Sequence, residues 1–131
     1  MLALPAQEGK KMIIGVSGTR SFEDYNKFSE IMDDFKDVDS IVSGGARGTD
    51  TMAERYAKEN NIDFIEYLPE WERYGRAAGP IRNEKIVEAS DLIVAFHNGI
   101  SRGTQSTIDI ANKTGTKIMI FAVEQGDNDG V

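Results

Sequence analysis

The chain has 131 residues, a formal net charge of −7 from 15 Lys and Arg against 22 Asp and Glu, and 40% hydrophobic residues. This length supports one domain with its own core and is short for two. The acidic balance opposes a surface that binds nucleic acid or anionic membrane as a whole. The absence of cysteine and the single histidine, His97, exclude disulfides, cysteine-based zinc sites and histidine-rich metal sites. We therefore expect no metal and no cofactor.

Five short apolar runs predict strands. They cover residues 12–16, 40–42, 63–67, 92–96 and 117–121. Most of these runs are continuously apolar rather than alternating, as in LIVAF, which is typical of a parallel sheet covered on both faces.

Helical patterns fill the gaps between the runs. Phe28, Ile31, Met32 and Phe35 fall on one helical face and predict a helix of roughly three to four turns. The second helix is predicted from Met52, Ala53, Tyr56 and Ala57, the third over 81–89, and the fourth over 104–113 with Ile108 and Ala111 facing inward.

The ends of the chain carry no such pattern. We expect residues 1–11 and 124–131 to be disordered termini around a domain at 12–123. Residues 8–11 would be encoded by purine-rich codons, such as occur before bacterial start sites, so Met12 is our hypothesis for the natural start. No apolar stretch approaches the roughly 20 residues of a membrane span, and no secretory signal is evident, so we expect a cytoplasmic protein without membrane partners.

The alternating order of strands and helices predicts an α/β fold, a Rossmann-like doubly wound sheet. We expect five parallel strands in the order 3-2-1-4-5 with helices on both faces. The winding then reverses between the first and fourth strands, where open α/β sheets bind ligands. On this order, residues 18–20 lie beside the loop at 97–103, and the loop at 43–50 flanks the same crevice.

Two glycine-bearing loops at equivalent positions, SGGARGTD (43–50) and SRGT (101–104), predict a phosphate site. Glycine lets the backbone lie against a ligand, and a helix N-terminus offers free N–H donors. Four arginines also end at the predicted crevice, and guanidinium groups bind phosphate bidentately. The predicted ligand-binding residues are Gly18, Thr19, Arg20, Ser43, Gly44, Gly45, Arg47, Gly48, Asp50, Arg82, Asn83, Ser101, Arg102, Gly103 and Thr104.

Several of these side chains have a structural interpretation as well. Asp50 is favourably placed to cap the second helix, and the arginines could pair with the surplus carboxylates. We expect Trp71 to pack at the sheet edge, with stacking on a base as the alternative. We expect His97 to serve its loop as a donor, with general acid–base chemistry as the alternative. No nucleophile and base pair and no P-loop pattern is evident, so binding is better supported than turnover.

Five segments together resemble the SLOG superfamily. They are GTRSF (18–22), SGGARGTD (43–50), Trp71 with YGRAAGPIRN (74–83), SDLIVAF (90–96) and SRGTQSTIDIA (101–111). The chain is most similar to the YspA-like group, which is related to the DNA-processing protein DprA and the Lonely guy phosphoribohydrolases. The resemblance implies a Rossmann-like fold with a pocket for a nucleotide or nucleotide derivative at the glycine loops, often in a dimer.

The resemblance leaves three functions open. The leading one is binding of a nucleotide-derived small ligand by a sensor or sequestering protein, with a homodimer as one expected form. The second is a phosphoribohydrolase-like enzyme that cleaves nucleoside monophosphates, in which Arg82 matches the family's arginine. Thr107 occupies that family's glutamate position, and Asp109 and Glu84 are the carboxylates considered as substitutes. The third is a single-stranded DNA-binding accessory module, which the acidic composition opposes.

Overall fold

The computed structural model describes residues 12–124, which form a wholly parallel five-stranded sheet in the order β3-β2-β1-β4-β5. The strands are β1 (Met12–Gly18), β2 (Val38–Ser43), β3 (Asp63–Glu66), β4 (Leu92–His97) and β5 (Lys117–Ala122). The helices are α1 (Tyr25–Met32), α2 (Thr49–Glu59), α3 (Trp71–Tyr74), α4 (Ala78–Ala89) and α5 (Arg102–Thr114), with a 3-10 turn at Gly75–Ala77. The predicted fold class and strand order are confirmed. The predictions for residues 1–11 and 125–131 lie outside the described residues.

Apolar side chains form a core on each face of the sheet, which explains the continuous LIVAF run. On one face Phe28 of α1 packs on Phe96, with ring centroids 5.0 Å apart. On the other face Ile93 packs with Ile86 of α4 and Ala111 of α5. Leu92 through Phe96 are consequently all buried, because successive strand residues point to opposite faces and both faces are covered.

Helix α1 is shorter than predicted, with eight residues and about two turns. Its N-cap is Asp24, whose side chain accepts a hydrogen bond from the Lys27 N–H, and it ends at the C-cap Asp33. Phe35 lies beyond the helix and still packs, half-buried, against the core. The apolar stripe, which predicted roughly three to four turns, therefore indicated burial correctly and helix length incorrectly.

Strand β5 is not covered on both faces, which corrects the expectation drawn from its apolar run. Met119 is 44% exposed and Ile120 is 53% exposed. Strand β5 forms one edge of the sheet and pairs only with β4, so the helices over the central strands leave it open. An apolar run thus indicates a parallel strand without indicating its place in the sheet.

The connection after β3 contains a short helix, α3, that the sequence did not predict, and α4 begins at Ala78, earlier than the predicted 81. Every helix within residues 12–124 is too short or too polar to cross a lipid bilayer.

Candidate functional site

Three loops meet at the carboxyl ends of β1, β2 and β4, and Thr19 joins them. The Thr19 N–H donates to the Phe96 carbonyl at 3.0 Å, and its hydroxyl accepts from the Asn98 N–H at 3.2 Å. Its carbonyl accepts from the Thr49 hydroxyl at 2.8 Å. The predicted proximity of residues 18–20 to the loop after β4 is confirmed. Thr19 itself is fully buried, so its side chain supports the crevice from beneath.

The glycine loop at 43–50 is held in shape by hydrogen bonds to other groups of the protein. The Asp50 carboxylate accepts a hydrogen bond from the Ala46 N–H at 2.9 Å and is only 8% exposed. The Thr49 N–H at the start of α2 donates to the Thr19 carbonyl at 3.4 Å. The Thr49 N–H is therefore not one of the free donors that were predicted at this helix N-terminus. Asp50 is also not the helix cap, because Gly48 holds that position and the carboxylate reaches back into the loop.

The position of Asp50 changes its proton affinity. Burial raises the pKa of Asp50, and the hydrogen bond from the Ala46 N–H together with the positive charge of Arg82 opposes that rise. The Ser43 hydroxyl is itself buried and donates to the Val16 carbonyl at 3.3 Å. Asp50 and Ser43, which were both predicted to bind the ligand, are thus buried and maintain the shape of the loop.

Arg82 is held firmly at the centre of the crevice. Its Nη1 donates to the Gly44 carbonyl at 2.7 Å, and its Nε donates to the Asn83 Oδ1 at 2.8 Å. The buried Asn83 in turn donates through Nδ2 to the Ser106 hydroxyl on α5 at 3.3 Å. The remaining nitrogen, Nη2, has no hydrogen-bond acceptor within residues 12–124. The guanidinium is positioned in advance, with donor capacity left over.

The crevice is electropositive. Burial lowers the pKa of Arg82, the charge of Asp50 opposes this, and the charge of Arg20 lowers it further. Two guanidinium groups are therefore close enough to repel each other. Arg47 and Arg102 are exposed on the neighbouring loops. In the described part of the chain, none of these four arginines has a carboxylate within 4.0 Å, and the ion pairs present involve Arg55, Lys58, Arg73 and Lys85. These arginines therefore form no ion pair within residues 12–124, although the charge of Asp50 acts on Arg82 from a greater distance.

The loop before α5 is shaped by Asn98, which the sequence analysis missed. Its Oδ1 accepts from the N–H groups of Ile100 and Ser101, each at 2.9 Å. Ser101 then caps α5, since its hydroxyl accepts from the Thr104 N–H at 3.4 Å. The signal available was an asparagine before a glycine at a strand end, which is typical of an Asx turn. A Cβ on Gly103 would meet nothing within 4 Å, so the first turn of α5 is open to a ligand.

Trp71 is exposed, whereas His97 is held by two hydrogen bonds. Trp71 is 59% exposed, so the expectation that it packs at the sheet edge is wrong. His97 accepts from the Gly99 N–H through Nδ1 at 3.3 Å, which leaves the proton on Nε2, 2.9 Å from the Gln105 Oε1. His97 therefore accepts from its own loop and connects that loop to Gln105 of α5.

The position of the Lonely guy glutamate holds a buried hydroxyl. Thr107 is fully buried, and its Oγ1 donates to the Gly103 carbonyl at 3.2 Å and lies 3.3 Å from the Ser17 hydroxyl. Asp109 lies two residues further along α5, which places it on another side of the helix, and it accepts from the Gln105 Nε2 at 2.8 Å. Glu84 is exposed on α4. Within residues 12–124, no three His, Cys, Asp or Glu side chains cluster in a way that could hold a metal ion.

The chain is similar to known proteins in sequence and in fold. Residues 12–74 match the model of the YAcAr family, described as the YspA, cpYpsA-related SLOG family. The Gene 61 protein of Mycobacterium phage D29 is 37% identical over 87 residues, which cover 62% of this chain and 70% of that protein. DNA processing protein A (DprA) from Streptococcus pneumoniae matches with a TM-score of 0.68 at 20% identity, over 95% of this chain and 54% of the DprA chain.

These matches carry different weight. At 20% identity the likeness to DprA shows the fold alone, and this chain spans about half of the DprA structure. The family model and the phage relative identify the family, as the sequence motifs predicted. The chain belongs to the YspA, cpYpsA-related family of SLOG proteins.

Proposed function

We propose that this protein binds a nucleotide or nucleotide-derived anionic small ligand in the crevice, as a sensor or sequestering protein. The observation that carries the proposal is a pair of crevice arginines, Arg20 and Arg82, that lie close enough to repel each other in a chain of net charge −7. Neither forms an ion pair within residues 12–124. Unpaired like charges repel, and the most direct compensation is an anion between them. Membership of a SLOG family supports a nucleotide-derived ligand.

The contacts of the 43–50 loop support one position for the anion. Because the Ala46 N–H donates to Asp50 and the Thr49 N–H donates to the Thr19 carbonyl, we infer that this loop forms a wall of the site rather than the main phosphate cradle. The available donors are the free Nη2 of Arg82, the exposed Arg20 and the open first turn of α5 at Gly103. A helix N-terminus adds a partial positive charge there. We place the phosphate between these three groups.

The proposal is tested by thermal denaturation with a ligand panel. The panel contains 5′-mononucleotides, nucleoside diphosphates, cyclic nucleotides and ADP-ribose, each measured with the wild type, Arg20→Met and Arg82→Met. A ligand at a hundred times its Kd stabilises the protein by about 2.7 kcal/mol, which raises the Tm by several degrees in a domain of this size. We expect a selective shift that both variants reduce. Arg55→Met is the matched control, because Arg55 is exposed and paired with Glu59 outside the crevice.

Arg82 also supports the glycine loop, so each shift is measured against the variant's own ligand-free Tm. Arg20→Met removes an exposed charge and isolates the effect on binding. A Tm unchanged by every ligand would contradict the proposal, as would a shift that both variants retain. Release of free base from a mononucleotide would instead indicate a phosphoribohydrolase. Binding of a single-stranded oligonucleotide in preference to all small ligands would indicate a DNA-binding module.

A further inference from the structure

The one tryptophan of the chain is unusually exposed. Trp71 is 59% exposed and Leu68, three residues earlier, is 60% exposed. Large apolar side chains left in water beside a polar crevice mark a contact site, and an indole ring offers a flat face for stacking. The core does not account for Trp71, since it packs in neither of the two core clusters.

The position of Trp71 connects it to the arginines. Its Cη2 lies 3.8 Å from the point where a Cβ on Gly79 would stand. Gly79 precedes Arg82 by three residues on α4, so the two lie on neighbouring turns of one helix face, about 4.5 Å apart along the axis. The Leu68 side chain approaches Gly45 in the loop whose Gly44 carbonyl holds Arg82. One ligand of modest length can therefore touch both the ring and the guanidinium.

The surroundings of Trp71 favour a small ligand over a protein partner. Charged residues flank the ring in sequence, at Glu70, Glu72 and Arg73. A stable protein interface needs roughly 800 Å² from each partner with an apolar centre, and one indole bordered by charges does not provide it. Glu70 lies 3.3 Å from Lys85 and 3.9 Å from Arg73, so its charge is offset before it can repel a phosphate.

We propose that the ligand of the crevice carries an aromatic base that stacks on Trp71 while its phosphate contacts Arg20 and Arg82. This inference rests on the proposed function and adds the side chain that contacts the base. It requires base-bearing nucleotides to bind more tightly than sugar phosphates, because only a base has an aromatic face to stack. Stacking tolerates different bases, so discrimination among bases must come from other groups.

The single tryptophan makes the test specific to this site. The probes are AMP, CMP, ribose 5-phosphate and inorganic phosphate, titrated against the wild type while indole fluorescence is measured with inner-filter correction. Calorimetry gives Kd for the wild type, Trp71→Ala, Trp71→Phe and the control Met119→Ala, an exposed apolar residue at the other edge of the sheet. We expect AMP and CMP to quench the fluorescence. We expect Trp71→Ala to raise their Kd by roughly 5- to 100-fold, and Trp71→Phe and Met119→Ala to change it little.

Each outcome separates this inference from the function on which it rests. If ribose 5-phosphate binds as tightly as AMP, and Trp71→Ala leaves every Kd unchanged, the stacking role is overturned and anion binding at the arginines stands. If none of the four probes binds, the stacking role is overturned, and the thermal-denaturation panel decides whether the proposed function stands. If sedimentation instead shows self-association that Trp71→Ala abolishes, the ring belongs to a protein interface and the inference is overturned. Because Trp71 is exposed, its variants are expected to fold normally, which circular dichroism checks.

Discussion

Replacing Gly48 with alanine tests how tightly the first two loops of the crevice fit together. Gly48 has a φ of 75°, and a Cβ there would overlap the backbone carbonyl of Arg20 in the neighbouring loop. Gly48 combines a positive φ with a ψ of −118°, and holding a residue with a Cβ in this sparsely populated region costs about 1 to 3 kcal/mol. The overlap with a backbone atom, which cannot rotate away, adds about 1 to 3 kcal/mol as the loops separate. We expect Gly48→Ala to lower the free energy of unfolding by about 2 to 6 kcal/mol in total.

Urea unfolding monitored by circular dichroism measures this change, provided that the slope of the transition is the same in both proteins. Gly75→Ala is the control, because Gly75 has a φ of 59° and a Cβ there would meet nothing within 4 Å. Gly75 has a similar backbone conformation, with a ψ of −132°, so Gly75→Ala has the conformational cost alone, about 1 to 3 kcal/mol. If Gly48→Ala destabilises the protein no more than Gly75→Ala does, the two loops are not in the close contact that the structure shows.

Two further predictions concern the same crevice. Gly103→Ala is expected to stabilise the ligand-free protein by up to about 1 kcal/mol, since alanine favours the helix and a Cβ there is unobstructed. The same variant is expected to weaken nucleotide binding in the thermal-shift panel. If it binds nucleotides as the wild type does, the ligand lies away from α5. For Asp50, a folded-state pKa above the unfolded value of about 3.9 means that the folded protein binds more protons between the two values. The stability of the wild type relative to Asp50→Asn should therefore fall as the pH rises from about 4 through that folded pKa. Urea midpoints of both proteins, measured across this pH range, test the prediction. A relative stability that rises with pH would show that the attraction of Arg82 outweighs the burial of Asp50.

The strand order could be predicted because the apolar pattern restricts the topology strongly. Continuous apolar runs indicated parallel strands, and parallel strands need helical crossovers of one hand. The bounds of the helices could be predicted less well. Phe35 continues the apolar stripe of α1, yet the helix ends at Met32. Phe35 packs against the core from the turn that follows the helix, so its burial does not require helical structure. Periodicity records which residues face inward, and a turn can supply an inward residue as well as a helix can.

The edges of the sheet and the role of Trp71 could not be predicted. Met119 and Ile120 are of the same apolar type as buried strand residues, and their exposure follows from the position of β5 at the edge of the sheet. The exposure of Trp71 depends on the short helix α3, which has four residues and no periodic signal. Such features follow from tertiary placement, which local sequence does not encode.

The glycines show why a phosphate-loop signature does not by itself define a phosphate site. Gly18 and Gly48 are explained by the protein itself: a Cβ on Gly18 would lie 2.5 Å from the Thr49 hydroxyl, and a Cβ on Gly48 would meet the Arg20 carbonyl. The loops cross so closely that only glycine fits, and the resulting sequence looks like an anion cradle whether or not an anion binds there. Gly103 differs, because a Cβ there would meet nothing within 4 Å. Among these three glycines, only Gly103 lacks a structural explanation within residues 12–124, and it is the one that the ligand itself should require.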